Sequence, residues 1–212
     1  MFSTLSRRVA RPLGLALALT LFVPALVSQP APVSAAATRA PAKAAPFDQQ
    51  FIDMMTPHHM SAVAMAQIAL TRAQHPQIKR LAQAIVSAQD KEIGQMKAYR
   101  KAWYGSATTP SMDHMPMLPG LPMGDMRMGM TMMGDIAHLK TAKPFDRAFI
   151  DAMLPHHQMA IDAAKLELAN GSHPQLKALA LSIIQDQARE QGLMQAYREL
   201  WYGGSMGSMP GM

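Results

Sequence analysis

No cysteine occurs in the chain. That excludes a disulfide framework, a thiol nucleophile, and zinc or iron–sulfur sites built on thiolate. Aromatic residues are scarce, 6% against 49% hydrophobic residues overall. Ala, Leu, Ile and Met must therefore build the core, a composition that suits helical bundles. No sustained alternation of β-branched and polar residues marks a strand. No run of Lys and Arg resembles a nucleic-acid arm. Three arginines near the N-terminus, Arg7, Arg8 and Arg11, supply half of the formal charge of +6. No nucleophile–base pair, phosphate loop or nucleotide signature is visible.

The apolar run from Leu13 to Val27 is too short to cross a membrane, which takes about 20 residues. It follows the three arginines and precedes the small residues Val33-Ser34-Ala35. This is the pattern of an export signal over residues 1–35, cleaved after Ala35. Export implies a periplasmic or secreted protein, with no membrane insertion after cleavage; an uncleaved N-terminal anchor is the alternative, and the lack of a Lys/Arg run points to no nucleic-acid partner. Residues 36–46 read as an Ala/Pro linker.

What the chain has in excess is methionine, with 21 residues, and after it histidine, with 8. Both fall into a pattern that occurs twice. Shifted by 98 positions, the chain matches itself without a gap. Phe51-Ile52-Asp53 pairs with Phe149-Ile150-Asp151, Pro57-His58-His59 with Pro155-His156-His157, and His75-Pro76-Gln77 with His173-Pro174-Gln175. Gln89, Glu92 and Met96 pair with Gln187, Glu190 and Met194, and Trp103-Tyr104-Gly105 with Trp201-Tyr202-Gly203. Agreement over nearly sixty positions marks a duplicated unit.

Each unit, 47–105 and 145–204, reads as two helices. Phe47, Phe51 and Met55 recur at helical spacing on one face. Pro76 suits the first turn of a second helix, and Gly105 its end. A short connection makes each unit an antiparallel hairpin, and two hairpins can bury what one cannot. The fold expected is all-α: a ferritin-like four-helix bundle from an internal repeat. Residues 106–144 between the hairpins form a Met-, Gly- and Pro-rich spacer expected to be flexible. The tail, residues 205–212, repeats its style.

Within a helix, Met55 lies one turn before His58 and His59, and Met153 one turn before His156 and His157. Pro57 removes an amide hydrogen and frees the carbonyl of Asp53. Thr56 could cap a new helix there, but Leu154 in the second unit cannot, so a continuous, disturbed helix is expected. Two imidazoles, a thioether and a nearby carboxylate suit copper, because Met is a soft ligand and His serves both oxidation states. Histidines at such a turn can equally satisfy buried backbone groups. Gln89, Glu92 and Met96 share one face of the second helix. Glu92 and Glu190, with Asp53 and Asp151, could orient histidines from behind.

The spacer carries Met112, Met115, Met117, Met126, Met128, Met130 and Met132, with His114 among them. Clustered thioethers can wrap Cu(I) or Ag(I); the same methionines could serve as sacrificial oxidant traps. His75, His173, Trp103 and Trp201 read as loop and bundle-end residues.

The motif Phe-Asp-x-x-Phe-Ile-Asp-x-Met-x-Pro-His-His, followed by His-Pro-Gln and then Gln-x-x-Glu-Ile-x-x-Met, resembles the bacterial "domain of unknown function 305" family. The resemblance covers Phe47–Gly105 and Phe145–Gly203, without the leader or spacer. It implies a ferritin-like, exported helical protein, and a link in some members to copper binding and copper tolerance. It also implies Met55, His58, His59 and Met96 as metal ligands, with Met153, His156, His157 and Met194 as their copies. Met54 and Met60 of the first unit are replaced by Ala152 and Gln158 in the second, which gains Met159, so the two sites need not be equal. The Glu-x-x-His motif of di-iron bundles is absent. The leading expectation is a protein that sequesters or transfers copper, with a copper transporter or another periplasmic copper protein as its partner. A di-metal oxidase using iron or manganese, and an interaction module without metal, are the alternatives.

Overall fold

The computed structural model describes residues 45–122, 124 and 135–203. Four long helices form in chain order: α1 (Phe47–Arg72), α2 (Pro76–Tyr104), α3 (Phe145–Asn170) and α4 (Pro174–Tyr202). A short 3-10 turn, Met112–His114, and a helical turn over residues 135–139 lie between the hairpins. The expected export signal, the linker through residue 44, the tail, and Met126, Met128, Met130 and Met132 lie outside the described residues. Among the described residues no helix is long and apolar enough to cross a membrane.

Local chemistry sets the boundaries. Pro76 and Pro174 open α2 and α4, where a missing amide hydrogen costs nothing. Gly105 ends α2 at φ 81, a left-handed conformation that glycine adopts without steric cost. Helix α1 runs unbroken through Pro57, and α3 through Pro155. Leu154 cannot cap, and the uninterrupted helices agree with that reading.

In each hairpin the first helix packs along its partner. The two first helices, α1 and α3, also pack on each other, while α2 and α4 barely touch. The result is an all-α four-helix bundle whose hairpins run head to tail, so the turn of one meets the open end of the other. Two cores follow. One joins Met65, Ala69, Ile78 and Ile85 with Phe145, Phe149, Met153 and Met194. The other joins Phe51, Met55 and Met96 with Met159, Ala163, Leu176 and Ile183. Leu118 and Leu121 of the spacer are buried in the second core. The spacer's first part thus lies against the bundle.

Reciprocal clasps tie the hairpins together. The Asp48 carboxylate, in the first turn of α1, accepts the backbone N–H groups of Ser172 and His173 at 2.9–3.2 Å. Asp146, its repeat mate, accepts those of Gln74 and His75 at 2.8–3.2 Å. Each aspartate therefore ties up amide groups at the other hairpin's turn. The ring of His75 stacks on Trp201 and that of His173 on Trp103, both with centroids 3.8 Å apart. Such aromatic contacts add to the apolar area they bury.

One clasp carries an asymmetry. Glu167 is fully buried beside Asp48, where the first repeat has Ala69. Burial, with Asp48 alongside, pushes the Glu167 carboxyl up to about 9. A Cβ at Gly171 would stand 2.0 Å from Glu167 Oε1 and 2.7 Å from the Glu167 backbone oxygen. The first repeat places Ala73 at that position, after Ala69. Gly171 is thus matched to Glu167 by close approach. Gly171→Ala should destabilise the protein by about 1–3 kcal/mol, and Glu167→Ala should recover part of the loss. Denaturant unfolding of both single variants and the double variant reads this; strictly additive effects would contradict the coupling.

Candidate metal centre

Successive residues on a helix point about 100° apart. Helix α1 is covered on one side by α2 and on another by α3, so His58 and His59 serve different neighbours. His59 turns to its own hairpin and donates Nε2–H to Glu92 Oε2 at 2.9 Å. His58 turns to the other hairpin, where its ring lies 3.8 Å, centroid to centroid, from that of His156. The second repeat does the same: His157 donates Nε2–H to Glu190 Oε2 at 2.7 Å. His58 and His59 are 6.1 Å apart, and His156 and His157 are 6.4 Å apart.

Four imidazoles therefore form a file across the middle of the bundle, closed at each end by a glutamate. All four are at most 1% exposed, and Glu92 and Glu190 are 6% and 4% exposed. The cores lie to either side, Met55 and Met96 in one, Met153 and Met194 in the other. All eight family-implied ligands are thus gathered at the centre or in the cores that flank it.

The hydrogen bonds decide which nitrogens remain free. A histidine that donates from Nε2 keeps its lone pair on Nδ1. The Nδ1 atoms of His59 and His157 are buried and without a hydrogen-bond partner. Ser61 Oγ donates to the carbonyl of His58 at 2.7 Å and lies 2.6 Å from His156 Nε2. With its proton so used, the hydroxyl accepts Nε2–H of His156, whose Nδ1 is likewise unpartnered. Neither ring nitrogen of His58 has a partner in hydrogen-bonding geometry, although the His156 backbone lies nearby. Leaving such groups unmade in an interior costs about 1–3 kcal/mol each. A bonded carboxylate behind a histidine with an open nitrogen in front is the arrangement found behind metal ligands.

His58 and His156 are both driven well below the ordinary histidine value, first by burial and then by the neighbouring imidazoles. They stay neutral and able to ligate a metal. In repeat 1 the Met96 sulfur also accepts from Thr56 Oγ1 at 3.9 Å. Leu154 offers no such donor in repeat 2. The carboxamides of Gln89 and Gln187, one turn before the glutamates, are buried without partners.

Other expected residues lie elsewhere. Asp53 does not reach the histidines: Arg100 holds it through Nε at 2.6 Å and Nη2 at 3.2 Å. Asp151 is held by Arg198 at 2.7 Å. Met112 packs on one core, and Met115 and Met117 on the other. His114 is exposed beside Asp113 and Ser111. These four do not converge in this structure. Among the described residues no group of three or more His, Asp and Glu side chains is arranged to hold a metal by itself. Glu92 and Glu190 point inward, as a di-metal oxidase would need, but each is spent on its own histidine at opposite ends of the file. Sequence reasoning missed the Ser61–His156 contact; the one available signal was that Ser61 breaks the repeat, with Met159 as its mate.

The unfolded chain protonates His58 and His156 below about 6.5, whereas the folded protein keeps them neutral. Their contribution is constant above that pH. It is lost as pH falls through it, by up to about 1.4 kcal/mol per pH unit for each ring. Glu167 acts in the opposite sense, since its raised value lets stability fall as pH rises from about 4.5 towards 9. The relevant quantity is thus a difference. Between pH 7 and pH 5 the metal-free wild type should lose more stability than His58→Gln/His156→Gln; equal losses would contradict buried neutral rings.

The family model described as Domain of unknown function (DUF305) matches residues 48–198. A solved structure of CopM in the Cu(II)-bound form is 41% identical, with a TM-score of 0.62, covering 73% of this chain and 97% of that one. CopM in the Cu(I)-bound form is 36% identical, with a TM-score of 0.61, covering 74% and 98%. CopM has also been solved in an Ag-bound form, at 36% identity and a TM-score of 0.60, covering 74% and 98%. An uncharacterized protein of Acanthamoeba polyphaga mimivirus is 37% identical over 51 residues, 24% of this chain. That match spans about a third of the viral protein's length (34%).

Proposed function

The chain belongs to the family described as Domain of unknown function (DUF305), and from that premise we propose that it is an exported copper-binding protein that sequesters or transfers the metal. The observation that carries this reading is the set of buried Nδ1 atoms on His59, His156 and His157, each left without a partner, between two cores that hold Met55, Met96, Met153 and Met194. Water would hydrate such nitrogens at a surface, and a hydrogen bond would satisfy them in a core. A metal ion does the same work here. The donor set of neutral imidazole and thioether, with no thiolate, selects copper in either oxidation state, and Ag(I), over harder ions. Copper- and silver-bound CopM structures at 36–41% identity support the same choice.

In this reading His58, His59, Met55 and Met96 bind on the repeat-1 side, and His156, His157, Met153 and Met194 on the repeat-2 side. Glu92 and Glu190 fix the outer imidazoles. The Met112–Met133 spacer captures Cu(I) outside the bundle through Met112, Met115, Met117, Met126, Met128, Met130 and Met132, together with His114. Copper is cargo and no turnover is involved; its handover would be to a copper transporter or another periplasmic copper protein. Export rests on the basic, apolar and small-residue order of the first 35 residues. Such a protein contributes to copper tolerance by keeping free Cu(I) low.

Protein purified from cells given both copper and iron should carry copper and not iron. It should bind more than one Cu(I) per chain in anaerobic chelator competition. Met→Leu changes across Met112–Met133 should lower the count, and His59→Ala/His157→Ala should weaken the sites that remain by about tenfold or more. Iron in place of copper would overturn the reading, and so would a Cu(I) count untouched by both sets of changes.

A further inference from the structure

The two repeats differ around their inner histidines at several positions, Met54 against Ala152, Thr56 against Leu154 and Ser61 against Met159, and the last of these reaches a histidine of the other repeat. Ser61 and Met159 are repeat mates, 98 residues apart. Each stands one helical turn after the inner histidine of its own helix, and each is fully buried. Ser61 reaches across to the other repeat, where its Oγ lies 2.6 Å from His156 Nε2. The same relation, applied with the repeats exchanged as in the reciprocal aspartate clasps, sets position 159 opposite His58. A hydroxyl there would take up a ring nitrogen of His58, as Ser61 does for His156. A thioether cannot donate a hydrogen bond and accepts one only weakly. Consistent with this, His58 alone of the four keeps both ring nitrogens unpartnered. Met159 packs in the core that holds Met54, Met55 and Met96, so four buried methionines share that side of the centre.

We propose that His58 of the first repeat and Met159 of the second form a cross-repeat nitrogen–sulfur pair that makes the repeat-1 side the tighter site for a soft monovalent cation, Cu(I) or Ag(I). The repeat-2 side has Ser61 in that place, which leaves His156 one nitrogen and supplies no sulfur. Sulfur donors favour the monovalent ions, and a site of neutral imidazole and thioether adds no charge of its own to the apolar interior. The duplication has thus diverged into one side richer in open donors and one side where a hydroxyl stands in place of a thioether. The inference rests on the copper reading above and adds a ligand to it.

The test is anaerobic Cu(I) titration of the full chain against a chromophoric Cu(I) chelator, with X-ray absorption to count sulfur neighbours of the first ion bound. Met159→Leu conserves volume and should leave helix content and melting unchanged in kind. It should weaken the tightest site by about tenfold or more and remove one sulfur from its shell. Met159→Ser, which copies the other repeat, should do the same. Met65→Leu, a buried methionine of the opposite core, should change neither quantity and controls for loss of core methionine. Wild-type affinity and sulfur count in a folded Met159→Leu protein would overturn the proposal while leaving the copper reading intact. A wild-type chain in which the first Cu(I) has no nitrogen neighbour would also overturn the proposal alone, whereas a chain that binds no Cu(I) would overturn both.

Discussion

Everything in the centre follows from two buried hydrogen bonds, from His59 to Glu92 and from His157 to Glu190. They fix the tautomers of the outer histidines and put a lone pair on each Nδ1. They also account for carboxylates inside an otherwise apolar bundle, where an unpaired charge would be expensive. Because adjacent helical residues diverge by about 100°, a helix that gives its second histidine to its own hairpin gives its first to the other. The file of four buried imidazoles is the result where the two helices pack together. Helix α1 and helix α3 cross there.

That crossing is held in register from the bundle ends. Asp48 and Asp146 each hold the turn of the opposite hairpin, and His75 and His173 stack across onto Trp201 and Trp103. Each hairpin's turn is thus held by the other hairpin. Symmetry is then broken in a few places, each chemically specific: Glu167 with Gly171 where repeat 1 has Ala69 with Ala73, Thr56 where repeat 2 has Leu154, and Ser61 where repeat 2 has Met159. Two of the three touch a methionine or a histidine of the centre. Duplication supplied two like halves, and these substitutions make the surroundings of their histidines chemically different.

Much of the fold was legible in the sequence. The offset of 98, the proline and glycine punctuation and the apolar spacing give two hairpins and their boundaries, and Leu154 opposite Thr56 gives an unbroken helix through the proline. Much of the centre was legible too, since Glu92 and Glu190 fall on the face that meets the histidines. Directions between hairpins were not legible. Nothing local tells whether Asp53 serves a histidine or an arginine 47 residues away, and Arg100 takes it. Nothing local tells that Asp48 crosses to residue 172, or that Ser61 touches His156. Those contacts depend on the antiparallel docking of one repeat on the other, a long-range property that repeat matching reveals only as two similar halves. Met112 packs on one core, while Met115 and Met117 share the other with the buried Leu118 and Leu121.

The central claim is that copper sits at the crossing of α1 and α3, bound by histidine nitrogens that the fold leaves open. Anomalous diffraction from crystals of the Cu(I)-loaded protein, recorded on both sides of the copper absorption edge, tests it most directly. A copper peak between the two helices, in contact with the imidazoles of the file and with methionine sulfur, is the result this account predicts. Copper confined to spacer or surface methionines and histidines, with the crossing free of metal, would contradict it.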